Sequence, residues 1–348
     1  IGYQGLEPGD LVIHGMDGFA GSIGISDSRG KSSPVLVVCD SDENKRYIMY
    51  YLRAMAYNDV FTALATGIRV RSCDLRWNKL SELPYILPSI QEQEQVVEAI
   101  ESCTQNVNAL MVNVQTQIEK LKSYKQSLIT EVVTKGLDHT VPMKDSGVAW
   151  IGEIPAHWEI KRGKVLFEES DARSADGSEE LLTVSQYTGI TPRSQKNVNM
   201  FEALTLEGYK LCDVGDIAAN TMWLWAGAIG VSAYSGVISP SYNVYRQKAE
   251  NFVPSYLDCL LRAPMLVQEY ASRSTGIRAS RLRLYPKDFL DIMFPVPPVD
   301  EQQDIMSVLS EKFAAVDKLI AIKKSKIEKL EQYKKSLIYE YVTGKKEA

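Results

Sequence analysis

The sequence predicts an α/β (α+β) protein made of two related halves, each a mixed α/β module followed by a long helix. Residues 87–136 align without a gap with residues 296–345, which lie 209 positions later. Apolar residues in both segments recur at spacings of three, four and seven, as in a helix that packs along another helix. Outside these segments, short β-branched runs alternate with Gly- and Ser-containing turns, which is typical of short strands.

The first module, residues 1–86, matches the later part of the second. PGDLVIHGMDGFAGSIGISDSRGKSSPVLVV aligns without gaps with VGDIAANTMWLWAGAIGVSAYSGVISPSYNV, and TGIRVRSCDLRW matches TGIRASRLRLYP. No counterpart of residues 144–205 stands before Ile1. We therefore expect the order partial module, helix, full module, helix, with an N-terminally truncated first module.

The two repeated segments are predicted to be long helices that pair side by side. A helix of about 45 residues is about 67 Å long, too long to be covered by one small domain. An antiparallel partner is the natural cover, and the other copy is the obvious candidate. Asp300 after Pro298 is the expected N-cap of the second helix, and Gly136 and Gly344 mark the two C-terminal ends. Together, the segments predict an antiparallel coiled coil with pseudo-two-fold internal symmetry.

The second module, residues 144–295, is predicted to be a complete mixed α/β domain. The stretch FVPSYLDCLLRAPMLVQEYA indicates a helix pair broken at Pro264. The run containing Trp223 and Trp225 is interpreted as a strand with both indoles on one face. GISDSRGKS and GFAGSIG resemble phosphate and cofactor loops, but wrong spacing and missing βαβ context favour turns.

Composition limits the function classes. The formal net charge is −5, which argues mildly against a protein that coats nucleic acid alone. Five scattered cysteines and three histidines indicate a reducing, cytoplasmic location and argue against a metal site. No uncharged apolar stretch is long enough to span a membrane. We find no catalytic set, and expect no catalytic, cofactor or metal site in this chain.

Basic and aromatic residues suggest contact with DNA. Arginines bind phosphates and can bond to guanine edges, aromatic rings can stack on bases, and asparagine can read adenine. The alternatives are solvated arginines paired with carboxylates, and aromatic residues packed in the core. The candidate DNA-binding residues are Arg273, Arg278, Arg281 and Arg283, with Arg69, Arg71 and Arg76 in the first module, and Tyr187, Arg193, Asn220, Trp223 and Trp225.

Three motifs resemble those of specificity subunits of type I restriction–modification enzymes. The motifs are DSGVAWIGEIPAHWEIKR at 145–162, the helix entries ILPSIQEQ at 86–93 and FPVPPVDEQ at 294–302, and a repeated SLI-x-E-x-V-T helix end. The resemblance implies target recognition domains at 1–86 (partial) and 144–295, joined by conserved helical spacers at 87–143 and 296–348. Each domain would read one half of a bipartite double-stranded DNA site, and the coiled coil would set their distance.

The same resemblance implies partners. Two modification (methyltransferase) subunits would use S-adenosylmethionine, and restriction subunits would use ATP and Mg²⁺, whereas this chain would bind no cofactor itself. The alternative is a coiled-coil scaffold that binds proteins without reading DNA.

Overall fold

The computed structural model describes residues 4–63, 80–196, 205–276 and 282–348. The chain divides into a first unit, Ile1–Glu119 with Leu319–Ala348, and a second unit, Lys120–Lys318. Each unit therefore combines one module with parts of both long helices. None of the described helices combines the length and the apolar character needed to cross a bilayer.

The module of the first unit is a small antiparallel sheet with one principal helix. Strand β2 lies between β3 and β5, β1 pairs with β4, and the Asn44 side chain caps α1 by accepting from two backbone N–H groups. Ile13, Ile23 and Leu52 are buried between the sheet and the helix. The elements are β1 (Gln4–Leu6), β2 (Leu11–His14), β3 (Ile23–Ile25), β4 (Gly30–Ser32), β5 (Leu36–Cys39), α1 (Lys45–Tyr57) and α2 (Val60–Ala63).

The two predicted long helices are present. Helix α3 spans Ile90–Lys135, and the second long helix, defined below as α8, spans Val299–Val342. Before α3, Ser89 and Glu92 form a reciprocal capping box: the Glu92 N–H donates to Ser89 Oγ, and the Ser89 N–H donates to Glu92 Oε2. After α3, Gly136 adopts a φ of +71°, the left-handed conformation that commonly ends a helix.

The long helices run antiparallel within each unit. In the first unit, Lys334 Nζ donates to Asn108 Oδ1 over 2.8 Å and Lys323 Nζ donates to Gln117 Oε1. Residue numbers thus increase along α3 where they decrease along the second long helix. In the second unit, Lys125 Nζ donates to both carboxylate oxygens of Asp317 at 2.8 and 2.9 Å. The two contacts of the first unit run in the antiparallel sense expected from the repeat, and the contact of the second unit joins the same two helices.

The module of the second unit is larger. Its main sheet has the order β14-β13-β16-β9, and β10 and β11 form a separate hairpin. The elements are β6 (Met143–Asp145), β7 (Glu153–Pro155), β8 (Glu159–Arg162), α4 (Gly163–Leu166), β9 (Phe167–Ser170), β10 (Leu182–Ser185), β11 (Gly189–Pro192), β12 (Lys210–Cys212), β13 (Ile217–Ala219), β14 (Ile229–Val231), β15 (Gly236–Ile238), β16 (Asn243–Gln247), α5 (Pro254–Leu261), α6 (Pro264–Arg273), α7 (Pro286–Leu290), β17 (Met293–Val296) and α8 (Val299–Val342).

Two hydrophobic clusters support the second unit. The larger joins the main sheet, α5, α6 and the ends of both long helices, with Trp158 fully buried. The smaller lies beneath the β10–β11 hairpin and includes Leu182, Val184 and Ile190. The helix break at Pro264 is confirmed, because this proline is the first residue of α6.

The internal repeat appears as matching buried hydrogen bonds. In the first unit, the Tyr47 hydroxyl donates to the Val342 carbonyl, and in the second unit the Tyr256 hydroxyl donates to the Val133 carbonyl. The Gln93 side chain of the first unit accepts from the Asn44 N–H and donates to the Pro88 carbonyl. Gln302, its counterpart in the second unit, accepts from the Val253 N–H and donates to the Pro297 carbonyl. A tyrosine and a glutamine at equivalent positions thus link each module to its helices.

Candidate nucleic-acid interface

The turn of the β10–β11 hairpin presents an exposed aromatic ring. The two strands pair from Leu182 opposite Pro192 to Ser185 opposite Gly189. Tyr187 lies between them with 81% of its surface exposed, and its N–H donates to Ser185 Oγ. A tyrosine this exposed contributes little to folding, but its rigid ring can stack on another flat group.

Arg262, at the end of α5, holds this turn in place. Its guanidinium donates to the Tyr187 carbonyl over 2.8 Å and to the Gln186 carbonyl over 3.3 Å. Asp258 lies one helical turn earlier and forms an ion pair with Arg262 at 3.4 Å. The same carboxylate accepts from the Val231 N–H over 3.0 Å, which ties the pair to strand β14. The backbone of the turn that carries Tyr187 is therefore held in place by Arg262 and Asp258.

Trp223 and Trp225 form a second aromatic feature. The strand interpretation is wrong here: β13 ends at Ala219, and the indoles lie in and beside a 3-10 turn, Leu224–Ala226. The rings stack with centroids 5.8 Å apart, and Trp225 Nε1 donates to the Met222 carbonyl. Trp223 remains 50% exposed. The turn closes on Gly227, whose φ of +87° supports the predicted turn at these glycines.

Both turns border one cleft within the second unit. It has a volume of about 780 Å³, and its lining includes Tyr187, Ala226 and Gly227 from the two turns and Lys125 and Phe313 from the long helices. Lys125 Nζ lies 4.5 Å from the centre of the Phe313 ring and also bonds the Asp317 carboxylate, so this ammonium is fixed at the cleft as part of an ion pair. Cys259 also lines the cleft, and burial raises the pKa of its thiol to about 11.

Asn220 is not placed to read a base. Its side chain is buried, with 5% exposed; Nδ2 donates to the Tyr242 hydroxyl over 2.9 Å, and Oδ1 accepts from the Met222 N–H over 3.2 Å. Burial raises the pKa of the Tyr242 hydroxyl. The asparagine therefore orders the start of the tryptophan turn from inside, and we omit it from the proposed interface.

The candidate arginines have different surroundings. Arg273 forms an ion pair with Glu269 on α6, the alternative weighed from the sequence. Arg283 is exposed, and its backbone pairs with that of Thr275. Arg193 follows β11, and its N–H donates to the Leu181 carbonyl. The remaining candidates, Arg69, Arg71, Arg76, Arg278 and Arg281, lie outside the described residues.

Sequence reasoning missed the Asp258–Arg262 support. Their spacing of four on a helix was a visible signal of an ion pair. The carbonyls that Arg262 binds lie 75 and 76 positions earlier in the chain, and no local pattern indicated that contact. Within the described part of the chain, no group of three or more His, Cys, Asp or Glu side chains could hold a metal ion.

Comparison with known proteins gives one consistent result. The chain is 24% identical over 316 residues to the putative type I restriction enzyme MjaX specificity subunit of Methanocaldococcus jannaschii, covering 86% of this chain and 67% of that protein. It is 23% identical over 278 residues to the type I restriction enzyme MjaVIII specificity subunit of the same organism, covering 74% and 61%. The chain thus spans roughly two thirds of the length of these relatives. No family model matches.

Two solved structures share the fold. A chain from a structure described as the basis of complex assembly and conformational transition of the type I R-M system has a TM-score of 0.68 at 14% identity, covering 97% of this chain and 83% of that one. The HsdS subunit from Thermoanaerobacter tengcongensis has a TM-score of 0.51 at 15% identity, covering 98% and 82%.

Proposed function

We propose that this chain, which belongs with the type I restriction enzyme specificity subunits, is the DNA-reading subunit of such an enzyme. Its family placement confirms the resemblance noted from the motifs, and the scaffold alternative is not favoured by these relatives. The proposal extends to what the chain reads, which residues read it, and what it assembles with.

The observation that carries the proposal is the pair of aromatic turns beside one cleft. A stacked tryptophan pair and an 81% exposed tyrosine lie on turns that are held by hydrogen bonds from Asn220 and Arg262. Exposed aromatic rings on a fixed support are costly to leave in water and mark binding surfaces. Base–aromatic stacking contributes about 1–3 kcal/mol per base. These rings can stack on bases, and Arg283, exposed elsewhere in the same unit, could contact phosphate or guanine.

Two related units suggest two half-sites. The turn that carries Met222, Trp223 and Trp225 in the second unit corresponds to Met16, Asp17 and Phe19 in the first. The turn is kept, since Gly21 and Gly227 both have a φ of +87°, while the side chains it presents differ. Each unit would then read a different half of a bipartite site, and the long helices would set the spacing between the halves.

The catalytic activities would reside on partner subunits. We propose that the chain is not catalytic and that two methyltransferase subunits supply S-adenosylmethionine-dependent methylation. We further propose that restriction subunits supply ATP- and Mg²⁺-dependent cleavage. The resemblance in motifs, and the likeness to a chain from a structure of type I R-M complex assembly, support these partners. This chain itself would bind no cofactor.

A methylation map of a host that expresses the chain with its methyltransferase partner tests the function. Trp223→Ala and Tyr187→Ala should each weaken or relax one half-site by about 1–3 kcal/mol and leave the other half-site unchanged. Tyr124→Ala removes a ring that is 49% exposed on a long helix and serves as the matched control.

Three outcomes separate the alternatives. If one half-site changes with Trp223→Ala and Tyr187→Ala but not with Tyr124→Ala, the result supports Trp223 and Tyr187 as DNA-reading residues. Methylation of one bipartite motif that none of the variants alters would keep the DNA-reading function and reject these residues. A chain whose deletion removes no methylated motif would be a scaffold, as the alternative holds.

A further inference from the structure

Arg262 and Asp258 connect the two aromatic turns of the second unit. Arg262 Nη2 donates to the Tyr187 carbonyl in the hairpin turn, and Arg262 Nη1 pairs with the Asp258 carboxylate. The same carboxylate accepts from the Val231 N–H of β14. This strand follows the tryptophan turn in the chain. A continuous series of polar contacts therefore runs from one turn to the strand that leaves the other.

Two glycines allow the hairpin and β14 to come close to this ion pair. Gly189 begins β11, directly after the turn of the hairpin, and Gly230 lies within β14. A Cβ on Gly230 would lie 2.9 Å from Asp258 Oδ1 and 3.4 Å from Gly189 Cα. A Cβ on Gly189 would lie 3.3 Å from Arg262 Nη1. A side chain at either position would push these elements apart, so the close approach depends on both glycines.

Helices α5 and α6 support the two turns together. Arg262, which binds the hairpin turn, caps the C-terminal end of α5. The tryptophan turn packs on α6, where a Cβ on Gly227 would lie 3.1 Å from Val267 Cγ2. A buried hydrogen bond joins the two helices, because the Tyr270 hydroxyl donates to the Leu261 carbonyl over 3.0 Å. Both aromatic turns therefore rest on one pair of helices that are bonded to each other.

The Arg262 guanidinium is poorly placed to bind DNA itself. Its Nη2 donates to the carbonyls of Gln186 and Tyr187, its Nη1 pairs with Asp258, and its Nε is buried. The side chains of Arg262 and Asp258 are only 27% and 32% exposed. A carboxylate also repels phosphate. Any effect of this pair on DNA reading would therefore act through the turns that the pair holds.

We propose that Arg262 and Asp258 are positioning residues that set the base preference of the second unit, by fixing Tyr187 relative to Trp223. Neither positioning residue would contact a base. Base steps differ in how readily they unstack, so two rings in a fixed relation fit some steps better than others. A loosened turn would fit different steps more equally. This inference rests on the proposed DNA-reading function and adds residues that govern specificity without touching DNA.

Selection from a library of randomised DNA duplexes tests the proposal. The full chain, assembled with its methyltransferase partner, is mixed with the library at one fixed salt concentration, and the bound duplexes are sequenced. The unsubstituted chain should enrich one bipartite motif. Arg262→Gln should lower the enrichment of the preferred base by at least about tenfold at a position of one half-site. Affinity for a mixed-sequence duplex should fall by less than about twofold, because no phosphate contact is lost.

Arg173→Gln is the matched control in the same unit. Arg173 also pairs with an aspartate, Asp171, over 2.9 Å, and it also donates to a backbone carbonyl, that of Gly208, over 3.0 Å. Both partners lie outside the two aromatic turns. The substitution therefore removes the same kinds of bond without loosening either turn, and the enriched motif should stay unchanged.

Two further variants separate positioning from stability and from direct contact. Asp258→Asn is milder than Arg262→Gln, because its amide oxygen can still accept from the Val231 N–H, and it should relax the same half-site position to a smaller extent. It provides the test if Arg262→Gln fails to fold. In a Tyr187→Ala background, Arg262→Gln should relax the position read by the tyrosine no further, since the arginine acts through that turn.

Several results would overturn the proposal. A lower Tm with an unchanged motif in the Arg262→Gln and Asp258→Asn variants would make the pair structural only. Additive losses in the double variant would make Arg262 a direct DNA contact, and equal weakening on all duplexes would make it a phosphate contact. If the unsubstituted chain enriched no motif, DNA reading itself would be rejected, and this inference with it. The unsubstituted chain thus distinguishes the two failures.

Discussion

Gln302→Leu should destabilise the second unit by removing three hydrogen bonds of one fully buried side chain, of which one is buried and two are partly buried. The Gln302 side chain has 0% exposed; its Oε1 accepts from the Val253 N–H over 2.8 Å, and its Nε2 donates to the carbonyls of Asn251 and Pro297, both over 2.9 Å. Leucine keeps most of the volume but bonds none of these groups. A buried polar group without a partner costs about 1–3 kcal/mol, and two of the three groups here are partly buried, so the lower end of that range gives a loss of about 3 kcal/mol.

Gln93→Leu is the matched variant in the first unit. The Gln93 side chain makes the corresponding bonds to the Asn44 N–H and the Pro88 carbonyl, but its third partner is the Glu43 carboxylate. Glu43 is only half-buried, so water can replace the amide there. We therefore expect the smaller loss, about 2 kcal/mol, from the two backbone groups alone.

Urea unfolding of the two variants measures the difference. Tryptophan emission reports Gln302→Leu, because four of the five tryptophans, including the fully buried Trp158, belong to the second unit, and native-state hydrogen exchange of α1 and α5 assigns each loss to its unit. A loss below about 1 kcal/mol for Gln302→Leu would refute the reasoning. So would a larger loss for Gln93→Leu than for Gln302→Leu.

Three further predictions follow from the long helices and the buried thiols. Inserting four residues after Asn113, with four more opposite it near Glu328, should lengthen the helix pair by about 6 Å and widen the spacer of the methylated motif without changing its half-sites; altered half-sites at constant spacing would contradict the proposed spacing role. Gly136→Ala should lower Tm more than Gly147→Ala, since both have a φ near +70° but only a Cβ at Gly136 would contact Glu301, 2.7 Å from Oε1. Burial raises the thiol pKa to about 12 for Cys212 and about 11 for Cys259, so both stay protonated at pH 8, and mass spectrometry should find them alkylated slowly until the chain unfolds.

Sequence reasoning located the long helices because their signals are local and repeated. Apolar spacing and the terminal glycines lie within each segment, and the second copy indicated the partner helix. The predicted N-cap Asp300 is wrong, because α8 begins at Val299 and Asp300 lies in its first turn. The tryptophan turn was misassigned because alternating apolar residues near Trp223 have the period of a strand, while the 3-10 turn depends on the Asn220 side chain. Arg262 was missed because its partners are distant in sequence. Local sequence patterns thus predict the long helices well. They predict a contact between distant segments only where the internal repeat identifies the partner segment.

The division between shared and differing positions in the two units has a physical basis. Tyr47 and Tyr256 each donate to a carbonyl near the end of a long helix, and replacing either leaves a buried group without its bond. Asp17 and Trp223 occupy one turn position, and the Asp17 side chain and Trp223 are each 50% exposed, so exchange there costs the fold little. A scaffold whose buried bonds are fixed while its exposed turns vary can change what it binds without changing how it folds. That property suits a subunit that reads two different half-sites with two copies of one module.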